Sequence, residues 1–229
     1  MLKIYFTAIL LLISVLPAFS QKEQVLAVLD KYGLYLSMLE AGLKEEGAEY
    51  YFKCSTTIES KSKVMKYTFE FDPRRSAGAF WVGSNGGEET TDKETRQLET
   101  YLNEKVAEAT ADIDENSLQL EADTEEELVI SFKYSTTTLP SSYAFFADCL
   151  VKAHINKAEK AFTFISFESF RPTVLMGKKV EKLKGYGTLC TLHGSQGCFF
   201  DQLFINAAST WLGKDFRLLS RYYDYGKTL

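Results

Sequence analysis

Apolar positions along this chain change period several times, and each change marks an element. Val25, Val28, Leu29, Tyr32, Leu36, Leu39 and Leu43 recur at steps of three and four, the stripe of an amphipathic helix, with Gly47 as its exit. The period then drops to two. Tyr50, Phe52, Cys54, Thr56 and Ile58 share one parity, and after the turn Ser60-Lys61-Ser62 so do Met65, Tyr67, Phe69 and Phe71. That is a β-hairpin with one buried side, ended by Asp72-Pro73 because proline cannot donate to a ladder. Phe80-Trp81-Val82 makes a short third strand, closed by Asn85-Gly86-Gly87. Thr91 and Glu94 form a capping box before a helix to about Ala109, with Leu98, Tyr101, Leu102 and Val106 as its stripe.

From there the chain reads as strands. Ser117–Glu121 and Glu127–Lys133 pair around an acidic turn. Tyr143, Phe145, Ala147, Cys149, Val151, Ala153 and Ile155 form one face of a long strand, opposite Asp148, Lys152 and His154. Phe162–Phe170 is apolar on both parities and is expected to be buried on both faces. The segments near Lys178–Leu192, Cys198–Leu212 and Asp215–Tyr225 are long beside the usual ~5–6 residues and predict a large curved antiparallel sheet. The fold class expected is therefore α+β, a half-barrel sheet with helices packed on its concave face.

The first twenty residues stand apart. Lys3 precedes an apolar run from Ala8 to Leu16, Pro17 breaks it, and Ala18-Phe19-Ser20 offers small residues at both ends of a cleavage triplet. This is the layout of a secretory signal peptide, with cleavage near Ser20/Gln21. The run is shorter than the ~20 apolar residues of a spanning helix, and no lipid-modified cysteine follows the site. The expected product is one domain over residues 21–229, periplasmic or secreted and not membrane-spanning after cleavage.

Composition narrows the function classes. The full chain has 17 Phe, 13 Tyr and only 4 Pro, which suits a large aromatic core. A net charge of −5 without a groove-reading Lys/Arg cluster argues against nucleic acid. Export permits disulfides. A hairpin centred on Gly194 sets Cys190 opposite Cys198, Leu183 opposite Ile205 and Leu189 opposite Phe199. Cys190 and Cys198 are thus expected to bridge, with two buried thiols as the alternative. Cys54 and Cys149 fall on apolar faces and are expected in the core, a second bridge being the alternative.

No catalytic constellation is visible. There is no Gly-x-Ser-x-Gly elbow, P-loop, His-Glu-x-x-His or dinucleotide fingerprint. His154 has polar parity beside a turn, and an exposed strand histidine accounts for it. Cys190, His193 and Cys198 could supply three zinc-type ligands, but a fourth at matching spacing is missing, so no metal and no cofactor are expected. Gly185-x-Gly187 lies within a strand and predicts a bulge or bend. The acidic Asp112–Glu127 stretch reads as a solvated turn rather than a calcium loop. Asp72-Pro73-Arg74-Arg75 reads as a turn, or as arginines facing an anionic head group.

One order of motifs resembles a known family. Phe71-Asp72-Pro73, Gly78, Trp81, Asn85-Gly86-Gly87 and the Thr91 helix follow one another as in periplasmic proteins of the LolA/LolB-like lipoprotein-carrier superfamily. The strand Ala147–Ile155, the turn Asn156–Lys160, the strand Ala161–Phe167, Ser169-Phe170-Arg171-Pro172 and the closing Phe216–Tyr225 fit the same order. The resemblance implies a curved sheet wrapped over helices around an apolar cavity for acyl chains, and no catalytic residues.

The function expected is non-enzymatic binding of a lipid, a lipoprotein acyl chain or another apolar ligand, as carrier or sensor, through opening of a helix lid. Phe69, Phe71, Trp81, Phe145 and Phe164 are the candidate apolar contacts, and Arg74 and Arg75 the candidate head-group contacts. The alternative is a structural or interaction module with a filled core that meets an envelope protein through its outer surface.

Overall fold

The computed structural model describes residues 20–41, 43, 51–60, 64–71, 80–84, 111–136, 139, 141–175, 178–192, 197–208 and 216–225. The leader before Ser20, the turn with Arg74 and Arg75, the Thr91 helix and His193 lie outside the described residues.

Helix α1 (Gln21–Lys31) starts at a capping box. The Glu23 amide donates to the Ser20 hydroxyl at 3.3 Å, and the Ser20 amide donates to the Glu23 carboxylate at 2.9 Å. The long helix predicted through Leu43 is in fact two. Gly33, at φ +69°, donates to the Asp30 carbonyl, and Leu34 donates to that of Leu29, a glycine-closed C-terminus. The chain restarts as α2 (Leu36–Ala41). The predicted stripe survives the break, with Val25, Leu29, Leu36, Leu39 and Leu43 all buried.

Ten described strands form one open antiparallel sheet. They are β1 (Phe52–Ser60), β2 (Val64–Phe71), β3 (Phe80–Ser84), β4 (Ile113–Asp123), β5 (Glu127–Tyr134), β6 (Cys149–Asn156), β7 (Ala161–Ser169), β10 (Lys182–Thr191), β11 (Cys198–Ala208) and β12 (Phe216–Tyr225). Between β7 and β10 a separate hairpin pairs β8 (Thr173–Leu175) with β9 (Lys178–Val180). The sheet order is β3-β2-β1-β12-β11-β10-β7-β6-β5-β4. The last strand thus joins the first hairpin to the rest, with Cys54 paired to Tyr223 and Ile58 to Leu219. Helix α1 packs on β4, and Glu40 of α2 accepts a hydrogen bond from the Ile113 amide at 3.0 Å. The architecture is the α+β, helix-on-sheet arrangement expected.

The long strand predicted from Tyr143 begins only at Cys149. Ser141–Asp148 is a 3-10 helix. Residues three apart eclipse in such a helix, which sets Tyr143 above Phe146, and both are buried with Phe145. The alternation of Tyr143, Phe145 and Ala147 imitated a strand. This helix lies against β5, β6, β7 and β8 and supplies rings to the inner side of the sheet.

Candidate functional site

The two faces of the sheet differ in kind. On the helix-bearing face, Phe146 is fully buried at the centre of a ring cluster. Its ring centroid lies 4.5 Å from Phe145, 4.8 Å from Phe167, 5.6 Å from Tyr134, 6.2 Å from Tyr143 and 6.5 Å from Phe200. Of the predicted ligand contacts, Phe145 therefore belongs to a packed core.

Phe164 lies on the other face. A bulge between His154 and Ile155 in the β6–β7 register leaves Phe162 and Ile165 buried and turns Phe164 outward, half-buried, which corrects the expectation of two buried faces. There it begins an aromatic row across the sheet. His154 and Phe164 are 5.1 Å apart edge-on, Phe164 and Tyr186 5.7 Å, Tyr186 and Phe204 4.9 Å, and Phe204 and Tyr222 5.6 Å. The row spans five neighbouring strands, β6, β7, β10, β11 and β12. Tyr186 and Tyr222 remain 45% and 47% exposed, unusually open for large rings. Each ring leans on its neighbour, so the row stiffens the sheet through cross-strand pairs.

Beside this row the same face carries a groove of about 660 Å³. Leu150 and Lys152 of β6, Ser166 and Glu168 of β7, Lys184 and Tyr186 of β10, and Phe204 and Asn206 of β11 line it, with Phe167 and Gly185. Lys184 is directly paired with Asn206 on one side and Glu168 on the other; Tyr186 is paired with Phe204 and Ser166. Lys152 is held by Glu121 at 3.1 Å. His154 meets the Glu127 carboxylate through Nδ1 at 2.8 Å, a strand-surface pair away from the groove lining.

The remaining predicted contacts sit at the far edge of the sheet. In the ladder Phe69 is paired with Cys54 and Val82, and Phe71 with Phe52 and Phe80. Trp81 is paired with Glu70, one residue out of step with Phe69 and Phe71. The side chains of all three lie outside the described residues, as do Arg74 and Arg75.

The predicted bridge between Cys190 and Cys198 is not formed, and none of the four cysteines is in a disulfide. Beside the turn the register is one residue off the predicted one, so that Cys190 is paired with Phe199 and Cys198 with Thr191. Leu189 accordingly meets Phe200, and beyond a bulge between Thr188 and Leu189 the offset grows to two, with Leu183 meeting Ala207. Successive ladder positions point to opposite faces, which separates the two sulfurs. Burial pushes the Cys149 thiol up to about 12 and the Cys190 and Cys198 thiols up to about 11, with Asp148, Asp201 and Cys190 adding in turn. At mildly alkaline pH Cys190 and Cys198 carry roughly a hundredfold less thiolate than an ordinary cysteine, and Cys149 roughly a thousandfold less. Native protein is expected to react correspondingly slowly with iodoacetamide, and unreduced, denatured protein to titrate four thiols. Rapid native labelling, or two missing thiols, would contradict the register.

No family model matches the chain. No curated protein matches it in sequence either. Among solved structures, the chain is similar to a LolA superfamily protein from Nitrosomonas europaea. The two are 9% identical, over 84% of this chain and 94% of that one, with a TM-score of 0.36. The fold described above rests on its own sheet order and register.

Among the described residues no three His, Cys, Asp or Glu side chains gather as metal ligands, and no helix is long and apolar enough to cross a membrane. The groove residues were readable in part. Tyr186 and Phe204 sit on the polar parity of their strands, and an aromatic on a face otherwise filled by Lys184 and Asn206 is the signal that singles them out.

Proposed function

We propose that this is an exported, non-enzymatic envelope protein that binds an apolar or amphiphilic ligand, such as a lipid or an acyl chain, as carrier or sensor. Its binding position is the outer-face groove of the sheet. The groove carries this reading: its volume lies within the range typical of ligand pockets, and an apolar floor with a few polar groups is their usual make-up. The chain is exported by cleavage near Ser20/Gln21, and residues 21–229 act as one periplasmic or secreted domain.

The test is native mass spectrometry of protein purified from the envelope, with titration of a fluorescent fatty acid. A copurifying amphiphile is expected, together with saturable binding that Ser166→Trp, which fills the groove, abolishes. Ligand-free protein that ignores the fatty acid would overturn the reading. A second reading, an interaction module with a filled core, draws on the ring cluster around Phe146. It expects pull-down from envelope extracts to recover a protein partner without lipid.

A further inference from the structure

Two neighbouring cross-strand pairs on the outer face differ sharply in chemistry. Lys184 and Asn206 are directly opposed on β10 and β11; two residues along, on the same face, Tyr186 and Phe204 are opposed with rings 4.9 Å apart and 28° from parallel. All four line the groove. Lys184 and Asn206 are exposed, and neither side chain has a hydrogen bond or ion pair among the described residues. Lys152, by contrast, is occupied by Glu121. Lys184 is also directly opposite Glu168 of β7, and the two form no ion pair.

We propose that Lys184 and Asn206 form the head-group site for a fatty-acid carboxylate, whose single acyl tail lies against Tyr186 and Phe204. This rests on the groove being the ligand site and names the ligand class. An ammonium and an amide N–H set side by side offer converging donors to a carboxylate, and a hydrogen bond from a charged donor is stronger than one between neutral groups. The adjacent aromatic pair supplies the apolar contact that a free anion lacks. Glu168 repels an anion from the β7 side, which sets the head between β10 and β11, in line with the ring pair.

Calorimetric titration of the full mature chain with laurate, dodecanol and acetate tests this. Laurate is expected to bind about tenfold or more tightly than dodecanol, with acetate weaker than both. Lys184→Gln and Asn206→Leu are each expected to bring laurate down to the affinity of dodecanol. Lys66→Glu, an exposed change on β2 far from the groove in strand order, is expected to keep the preference. Higher salt is expected to narrow the gap between laurate and dodecanol. Equal binding of laurate and dodecanol would overturn the head-group site while leaving the groove reading intact. Acetate binding as tightly as laurate would overturn the role of the tail. No binding of any amphiphile would overturn both readings.

Discussion

Replacing Phe146 with alanine is expected to lower the unfolding free energy by about 3–5 kcal/mol, a large fraction of the ~5–15 kcal/mol typical of a whole domain. The side chain is fully buried, and five other rings lie within 6.5 Å of its centroid. Those rings come from the 3-10 helix and from β5, β7 and β11, so they cannot all move inward to fill the void. The loss therefore includes both the transfer term and most of the cavity term. Phe146→Leu keeps much of the volume and is expected to cost about 1.5 kcal/mol or less. Phe164→Ala, on the half-buried outer row, removes cross-strand pairs worth about 1 kcal/mol. Urea denaturation of the three variants gives the comparison. A cost for Phe146→Ala no greater than for Phe164→Ala would mean that the helix-bearing face collapses easily around a missing ring.

The fold was legible wherever the period was unbroken. Cys54 and Ile58 were assigned to a buried face by parity alone; both are buried, and the ladder pairs Cys54 with Phe69 and Ile58 with Met65 as that parity requires. Three kinds of feature escaped. Gly33 ends α1 in mid-stripe, and a stripe that continues on the far side of the break hides it. The 3-10 helix borrowed the alternation of a strand, because Phe145 and Phe146 are both buried where a strand would bury only one. The bulges at His154/Ile155 and Thr188/Leu189 each add one residue, and one residue turns the following side chains to the other face. The first bulge puts Phe162 and Phe164 on different faces, and a one-residue offset of the β10–β11 register beside its turn keeps Cys190 from Cys198. The site was less legible than the fold, because a groove depends on which outer-face residues become neighbours across β7, β10 and β11. Their separation in sequence carries no such information.

Gly185→Ala is expected to destabilise the protein by about 3 kcal/mol, the upper end for overpacking. Gly185 and Gly187 need no left-handed backbone; their role is close approach. A Cβ at Gly185 would collide with the backbone carbonyl oxygen of Phe204 on β11 and with the ring of Phe167 from β7. The ring can shift, but the carbonyl belongs to the β10–β11 ladder and moves only if the strands separate. At Gly187 the nearest atoms are Phe200 ring carbons at 2.7 and 2.8 Å, with the Gln202 carbonyl oxygen at 2.9 Å. Gly187→Ala is thus expected to cost less, about 1–2 kcal/mol, since rotation of a ring relieves most of the clash. Adding Phe167→Leu to Gly185→Ala is expected to recover part of the loss, and a double-mutant cycle isolates that part from the carbonyl clash. Full recovery would show that ring packing alone demands glycine, while no recovery would assign the whole cost to the ladder. The backbone at stake also forms part of the groove, through Gly185 and Phe167. Gly185→Ala is therefore expected to weaken laurate binding even at temperatures where the variant stays folded. A destabilised variant that binds laurate with unchanged affinity would separate the glycine's packing role from the site.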